Sequence, residues 1–149
     1  MLKTRTFPAA FVLLFILGTG LSLGQEPTPS GSVGDCVANA HTICLNDGRF
    51  SVSARFRTAS SGETDATGVT LTADSGYFWF FDPANIEVVI KVLRACSLNN
   101  QYWVFATGLT NVEVTLFVTD TETDHLETYT NQLGVPFAPV QDTSAFACP

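Results

Sequence analysis

The chain is poor in the residues that most reaction chemistry requires. Histidine occurs twice, at His41 and His125, and the four cysteines are an even number. Nucleophilic catalysis needs a base held beside the nucleophile, and both histidines fall in segments with the composition of loops or turns. We therefore expect a protein that is not an enzyme and that needs no cofactor.

Basic residues are also scarce, with seven Lys and Arg against fourteen Asp and Glu. Two of the basic residues precede position 25, so residues 25–149 carry five basic and fourteen acidic side chains, a net charge of −9. Nucleic acids and anionic membrane surfaces are bound through basic patches. The composition argues against both as partners, and acidity of this kind is more typical of solubility than of a particular ligand.

A long apolar run occurs only near the N-terminus. Two basic residues precede the apolar stretch Ala9–Leu17, and the small residues Ser22 and Gly24 stand at positions −3 and −1 of a cleavage site. This layout predicts a secretory signal peptide over residues 1–24. The stretch is nearer about 15 residues than the ~20 that a spanning helix needs. We expect a protein secreted to the medium or periplasm, with no stable membrane insertion after cleavage.

The four cysteines of an exported chain predict two disulfides, for which three pairings are open. We favour Cys36–Cys44, which are close in sequence, and Cys96–Cys148, which would tie the C-terminal tail to the middle of a sheet. The alternative is a metal site made by Cys36, His41 and Cys44. The spacing of these three residues matches no standard zinc pattern.

The remaining sequence divides into a linker and one β domain. Residues 25–34 are rich in Pro, Ser and Gly and predict a flexible linker, and residues 35–149 predict a single domain. β-branched and aromatic residues dominate the domain, and turn signals recur every 8–12 residues. This pattern favours an all-β, antiparallel, Ig-like sandwich of about seven strands, with a small barrel as the alternative. The predicted strands are Arg49–Arg57, Gly68–Ala73, Tyr77–Phe81, Ile86–Leu93, Tyr102–Gly108, Asn111–Thr119 and Leu126–Thr130.

Individual strands carry further expectations. The strand that contains Val69 and Leu71 should direct both of these side chains inward. Ile86–Leu93 is apolar on both faces, which is typical of a central strand. Leu126–Thr130 carries outward Thr and Glu residues that suit a sheet edge. The tail Gly134–Pro149 is predicted to be irregular, with its two phenylalanines packed against the sheets.

Three blocks of the sequence resemble, in order and spacing, a module of secreted bacterial proteins. They read CVANAHTICLNDGRF, DSGYFWFFDPANIEVVIKVLRACSLNNQYWVFATGLTNVEVTLFVTD and TYTNQLGVPFAPVQDTSAF. The module occurs alone behind a signal peptide or appended to larger exported proteins, some of which are hydrolases. No catalytic or ligand-binding residues are assigned to it. The resemblance covers nearly all of Cys36–Cys148 and implies a non-catalytic β module of unassigned function.

The run Tyr77–Phe81 is the strongest local signal. Alternate side chains of a strand face opposite ways, so Tyr77 and Trp79 share one face with Phe81, and Trp103 should lie on a nearby strand. An exposed aromatic face could stack on sugar rings or cover an apolar protein partner, which makes Tyr77, Trp79 and Trp103 a candidate ligand platform. The alternative, which we favour from sequence, is that both faces of the strand belong to the core.

Carboxylates are the remaining chemical groups to consider. Paired carboxylates can hydrolyse glycosides if burial raises the pKa of one of them. Most of the acidic residues here lie in turns or on strand faces that we expect to be exposed, including Glu87. Asp120, Glu122 and Asp124 alternate within one turn and form a weak candidate site for calcium, because Ca²⁺ prefers clustered oxygen ligands. The alternative for this segment is a solvated hairpin turn.

The sequence predicts a secreted, non-catalytic binding or accessory module whose partner is an unidentified protein or glycan. A second hypothesis is a secreted inhibitor of a hydrolase, with the exposed loop Thr58–Thr67 as the inhibitory segment, since rigid loops lose little entropy on binding. A third and weaker hypothesis is a small carboxylate-dependent hydrolase.

Overall fold

The computed structural model describes residues 35–149, and the predicted signal peptide (1–24) and linker (25–34) lie outside the described residues. The described residues form ten strands and one helical turn. In chain order these are β1 Thr42–Leu45, β2 Phe50–Arg57, β3 Thr64–Asp65, β4 Thr67–Thr72, β5 Ser75–Trp79, β6 Val88–Ala95, α1 Cys96–Asn99, β7 Gln101–Gly108, β8 Glu113–Asp120, β9 His125–Asn131 and β10 Val140–Ala147.

Two antiparallel sheets pack against each other. Sheet A has the strand order β1-β2-β8-β9, with β3 also paired to β2, and sheet B has the order β10-β7-β6-β5-β4. The arrangement confirms the predicted all-β sandwich. It also confirms two placements, because β6 lies at the centre of sheet B and β9 lies at an edge of sheet A.

The core lies between the sheets and is filled by alternate residues of each strand. In β2 the inward residues Phe50, Val52, Ala54 and Phe56 are buried, and the residues between them are partly or fully exposed. This is the period of two that the sequence shows. The tail adds two buried rings, because Phe137 is 7% exposed and Phe146 is 2% exposed, as predicted.

The chain passes from sheet A to sheet B between β3 and β4, at the buried Ala66. The inward position at the start of β4 is Gly68, where a Cβ atom would lie 2.8 Å from Cγ2 of Ile43. Val69 therefore faces outward, in register with Tyr77, and Leu71 is 56% exposed beside a register shift. The prediction that Val69 and Leu71 point inward is wrong, because a glycine takes the inward position and makes room for Ile43.

The predicted irregular tail contains a strand. β10 pairs with β7 at the edge of sheet B, and its register shifts between Asp142 and Phe146. The bulge and the polar residues before it interrupt the alternation of apolar and polar side chains. Sequence periodicity alone therefore could not identify β10.

The two ends of the sandwich differ in their covalent links. The favoured disulfide pairing is confirmed, with Cα–Cα distances of 5.8 Å for both Cys36–Cys44 and Cys96–Cys148.

We call the end of the sandwich that carries Cys96–Cys148 the disulfide end. The backbone N–H of the first described residue, Asp35, donates a hydrogen bond there to Oγ1 of Thr121. The opposite end, the loop end, carries the segments 58–63, 80–87, 109–112 and 132–139. No helix in the described range 35–149 has the length and apolar character needed to cross a membrane.

Candidate functional site

The outward faces of the two sheets differ in chemistry. Sheet A presents hydroxyl side chains around Phe117, the one aromatic residue that its described strands direct outward; they include Ser51, Ser53, Thr115, Thr119, Thr128 and Thr130. Sheet B presents large apolar side chains, all of them partly exposed, which we call the aromatic face: Tyr77, Trp79, Val89, Leu93, Trp103 and Phe105.

The aromatic face follows from the alternation of β5, β6 and β7. In β5 the inward positions are taken by Gly76 and by Phe78, which is fully buried, so Tyr77 and Trp79 turn outward. Tyr77 is in register with Val89 on β6, and Leu93 is in register with Trp103 on β7. The prediction that both faces of the aromatic strand are buried is wrong, because only the inward face belongs to the core.

The three predicted platform residues share this outward face but do not form a single cluster on it. Trp103 lies opposite Leu93, whereas Tyr77 lies opposite Val89, four residues away on the same strand. With about 3.4 Å per residue, Trp79 and Trp103 are displaced by about 20 Å along the strands. The face therefore has two aromatic groups, one made by Tyr77 and Trp79 and the other by Trp103 and Phe105.

The second group is held by direct contacts. The rings of Trp103 and Phe105 meet edge to face with centroids 6.1 Å apart. The indole Nε1–H of Trp103 donates a hydrogen bond to Oδ1 of Asn99 at 2.9 Å. Asn99 is the last residue of α1, so this helical turn fixes the orientation of the indole. A ring held in this way loses little freedom when a ligand covers it.

A shallow cavity of about 350 Å³ lies beside Phe105, between β6, β7 and the start of β10. Its lining includes the apolar side chains of Val89 and Pro139 and the polar side chains of Thr107 and Gln141. The sequence analysis missed this cavity because its walls come from segments far apart in the chain. One of them belongs to the tail that was predicted to be irregular.

The weak calcium candidate does not form a cation site. Asp120 is buried and accepts a hydrogen bond from Nη2 of Arg49 at 2.8 Å, and Glu122 lies 3.2 Å from Nη1 of the same side chain. Asp124 is exposed at the tip of the turn. Across residues 35–149 no three His, Cys, Asp or Glu side chains are grouped so as to hold a metal ion. The expectation that Asp120 is exposed is wrong, because it neutralises a buried arginine.

Arg49 joins the two sheets at the disulfide end. Its guanidinium lies over the ring of Tyr102 at 4.5 Å from the centroid, and Nη2 donates to the carbonyl oxygen of Ala147 at 3.2 Å. Burial opposes the charge on Arg49, but the hydrogen bonds to Asp120 and the nearby carboxylates outweigh it and raise the pKa of Arg49 above its ordinary value. The cluster contributes to stability and leaves no free carboxylate for acid–base chemistry.

The other candidate groups, Glu87 and His41, lie apart from each other, and each makes a hydrogen bond within the protein. Glu87 was predicted to be exposed but is only 5% exposed, and it accepts a hydrogen bond from Nδ2 of Asn85 at 2.5 Å. The backbone at Glu87 lies in the loop before β6, where no strand face directs the side chain outward. Nδ1 of His41 is 2.9 Å from the carbonyl oxygen of Ala66, and the two cysteines nearest to His41 are joined in a disulfide.

No protein-family model, no curated protein and no solved structure matched the chain. The resemblance to a module of secreted bacterial proteins therefore stays a prediction. The aromatic face and the cavity beside it are the features of the described residues that point to a function.

Proposed function

We propose that the protein is a secreted, non-catalytic binding module that engages its partner through the aromatic face of sheet B. The contrast between the two outward faces carries this proposal, because only the face of sheet B brings several aromatic and aliphatic side chains together, each of them partly exposed. Exposed apolar patches on small proteins are commonly interaction surfaces. The two disulfides support an oxidising compartment, such as the periplasm or the extracellular medium.

The backbone beneath the aromatic face is well suited to binding. Tyr77, Val89 and Trp103 lie on three adjacent strands, each paired on both sides within sheet B. Strands position side chains more precisely than loops do, and a preorganised surface loses less conformational entropy when a partner binds. The face can therefore bind without rearrangement of the fold.

Co-sedimentation with insoluble envelope material from the source cells tests the proposal. We expect the wild-type domain to be retained, and we expect Trp103→Ala and Trp79→Ala each to weaken retention by about tenfold, the loss typical of an aromatic contact residue. Phe117→Ala is the matched control, because it removes an aromatic ring from the outward face of sheet A. Equal retention of all four proteins would show that the aromatic face does not bind the partner.

A second candidate function, inhibition of a secreted hydrolase, is favoured by the loop end. Of the nine large hydrophobic residues that are well exposed in the described chain, five lie on three loops of this end: Phe81, Ile86, Leu109, Leu133 and Val135. The ring of Phe81 packs edge to face on Phe56, near the end of the strand that leads into the predicted inhibitory loop. Within that loop Oγ1 of Thr58 is 2.8 Å from Oγ of Ser61, which restricts its conformation.

Assays of secreted proteases and glycosidases in the presence of the domain separate the two candidates. An inhibitor should lower the activity of one hydrolase, and Phe81→Ala should reduce that inhibition while Trp103→Ala leaves it unchanged. If the wild-type domain inhibits no enzyme of the panel at micromolar concentration, the inhibitor function is excluded for those enzymes.

A further inference from the structure

We infer that the partner of the aromatic face is an uncharged polysaccharide, bound along the strands of sheet B. This inference rests on the proposed function and specifies the ligand class. It depends on three properties of the face, which are its charge, the polar groups that border it and its length.

The aromatic face is nearly free of charge in a strongly acidic protein. The five strands of sheet B contain three charged residues, Lys91, Arg94 and Asp142. Arg94 and Asp142 occupy register positions on the side opposite the aromatic face, and Arg94 is exposed at the disulfide end. Lys91 faces outward, and its ammonium group is neutralised by Asp74 at 3.2 Å. A charged partner would find no uncompensated charge here, whereas protein partners of acidic domains are commonly steered by opposite charge.

Apart from Lys91, which also lines the cavity, the polar groups around the face are hydroxyls and amides. Ser75, Thr107 and Gln141 border the cavity beside Phe105, and Asn99 holds the indole of Trp103. Hydroxyl and amide groups can both donate and accept hydrogen bonds, as sugar hydroxyls do. The C–H groups on the face of a pyranose ring carry partial positive charge and are attracted to the negative face of an aromatic ring. A neutral sugar can therefore satisfy both kinds of group at once.

The face is extended, and this favours a polymer over a single sugar. Trp79 and Trp103, at the two ends of the face, are displaced by about 20 Å along the strands, which is longer than one sugar ring. The cavity beside Phe105 and Val89 lies between the rows that contain Tyr77 and Trp103. A chain of several sugar units could contact Trp79 at one end and Trp103 at the other.

Binding to defined insoluble polymers tests the inference. The probes are microcrystalline cellulose, chitin and insoluble β-1,3-glucan, which are uncharged, and cross-linked polygalacturonate, which is anionic. We expect retention on at least one uncharged polymer, and we expect it to persist at about 1 M NaCl, where charges are screened beyond about 3 Å. Trp79→Ala and Trp103→Ala should each lower the association constant by about tenfold, a loss of about 1.4 kcal/mol. Phe117→Ala should not change it.

The outcomes separate this inference from the proposed function. Retention on none of the uncharged polymers, or retention only on polygalacturonate and only at low salt, would overturn the assignment of a neutral polysaccharide. Equal retention of wild type and both tryptophan variants on an uncharged polymer would overturn it as well, because binding would then occur elsewhere. If the polymers fail but envelope material still distinguishes Trp103→Ala from Phe117→Ala, the proposed function stands with a different partner.

Discussion

Two arginine–carboxylate pairs connect the ends of β2 and β8 in very different surroundings. The side chains of Arg49 and Asp120 are 5% and 2% exposed, whereas those of Arg57 and Glu113 are 53% and 31% exposed. A buried charge that loses its partner is left without solvent or counter-ion, whereas an exposed charge is solvated by water. The same residue types therefore contribute differently to stability.

Removal of the buried partner should be strongly destabilising. We expect Asp120→Ala to lower the free energy of unfolding by about 3 kcal/mol, because Arg49 would remain buried with only the partly exposed Glu122 as its partner. Urea denaturation followed by circular dichroism measures the change. Glu113→Ala is the matched control at the exposed pair and should leave the urea midpoint nearly unchanged. Similar losses in both variants would contradict the assignment of Arg49–Asp120 as a buried ion pair that stabilises the fold.

Tyr129 links the edges of the two sheets by donating a hydrogen bond from its hydroxyl to Oδ2 of Asp142 at 3.0 Å. Burial and this hydrogen bond raise the pKa of Tyr129 well above its ordinary value of about 10. The protonated phenol is thus favoured in the folded state. Its contribution to stability is complete below about pH 10 and is lost as the pH rises through the folded-state pKa.

The variant Tyr129→Phe tests this pH dependence. At about pH 8 it should be less stable than wild type by about 1 kcal/mol, the typical contribution of one hydrogen bond. The difference should become smaller above about pH 10, because only the wild type then loses the tyrosine contribution. Urea denaturation of both proteins across this range measures it. A difference that stays constant with pH would contradict the raised pKa.

At the scale of the element, the crossing from sheet A to sheet B depends on a glycine. An added Cβ at Gly68 would lie 2.8 Å from Cγ2 of Ile43 and 2.9 Å from Cε1 of Phe78, both side chains being buried in the core. We expect Gly68→Ala to lower the free energy of unfolding by about 1–3 kcal/mol through overpacking.

Gly62→Ala is the control for this substitution. No atom lies within 4 Å of the position that its Cβ would take. The alanine should leave stability unchanged or increase it by up to about 1 kcal/mol, because it restricts the unfolded chain. Thermal or urea denaturation of both variants measures the effects. If Gly68→Ala does not change the free energy of unfolding, the close packing of Ile43 on β1 against Gly68 on β4 is contradicted.

The strands that sequence periodicity predicted are those whose alternation is regular. β2 and β8 alternate along their full length, and apolar residues on both faces of β6 identified a central strand. β10 and the orientation of β4 could not be predicted in this way. A bulge interrupts β10, and a glycine occupies the inward position of β4, so that in both cases the pattern of apolar residues no longer indicates which side faces the core.

At the scale of the whole molecule, two covalent links of different span stabilise the fold. Cys36–Cys44 closes a separation of 8 residues and Cys96–Cys148 closes a separation of 52. Loop-closure entropy assigns about 2.5 kcal/mol to the first and about 4 kcal/mol to the second. Replacement of both cysteines of a pair by alanine should therefore lower the free energy of unfolding more for Cys96–Cys148 than for Cys36–Cys44. Denaturation of the two double variants measures it, and the reverse order would contradict the entropic account.

The candidate site could be predicted only in part. The sequence identified Tyr77, Trp79 and Trp103 as a candidate platform because strand alternation places such residues on one face, although it favoured a position in the core. It could not show that this face is open to solvent, since that depends on which side of sheet B meets sheet A. The role of Asn99 was missed because it depends on the helical turn α1, and that of Gln141 was missed because its neighbours on the face come from other parts of the chain.

Acrylamide quenching of tryptophan fluorescence tests the central claim most directly. Both tryptophans of the chain lie on the aromatic face, so the whole tryptophan signal reports on it, and a neutral quencher is not repelled by the acidic protein. We expect acrylamide to quench the free protein, and we expect this quenching to fall when a soluble oligosaccharide of the polymer that retains the protein is added to saturation. Emission that resists quenching in the free protein, or quenching that is unchanged by the bound ligand, would contradict binding through this face.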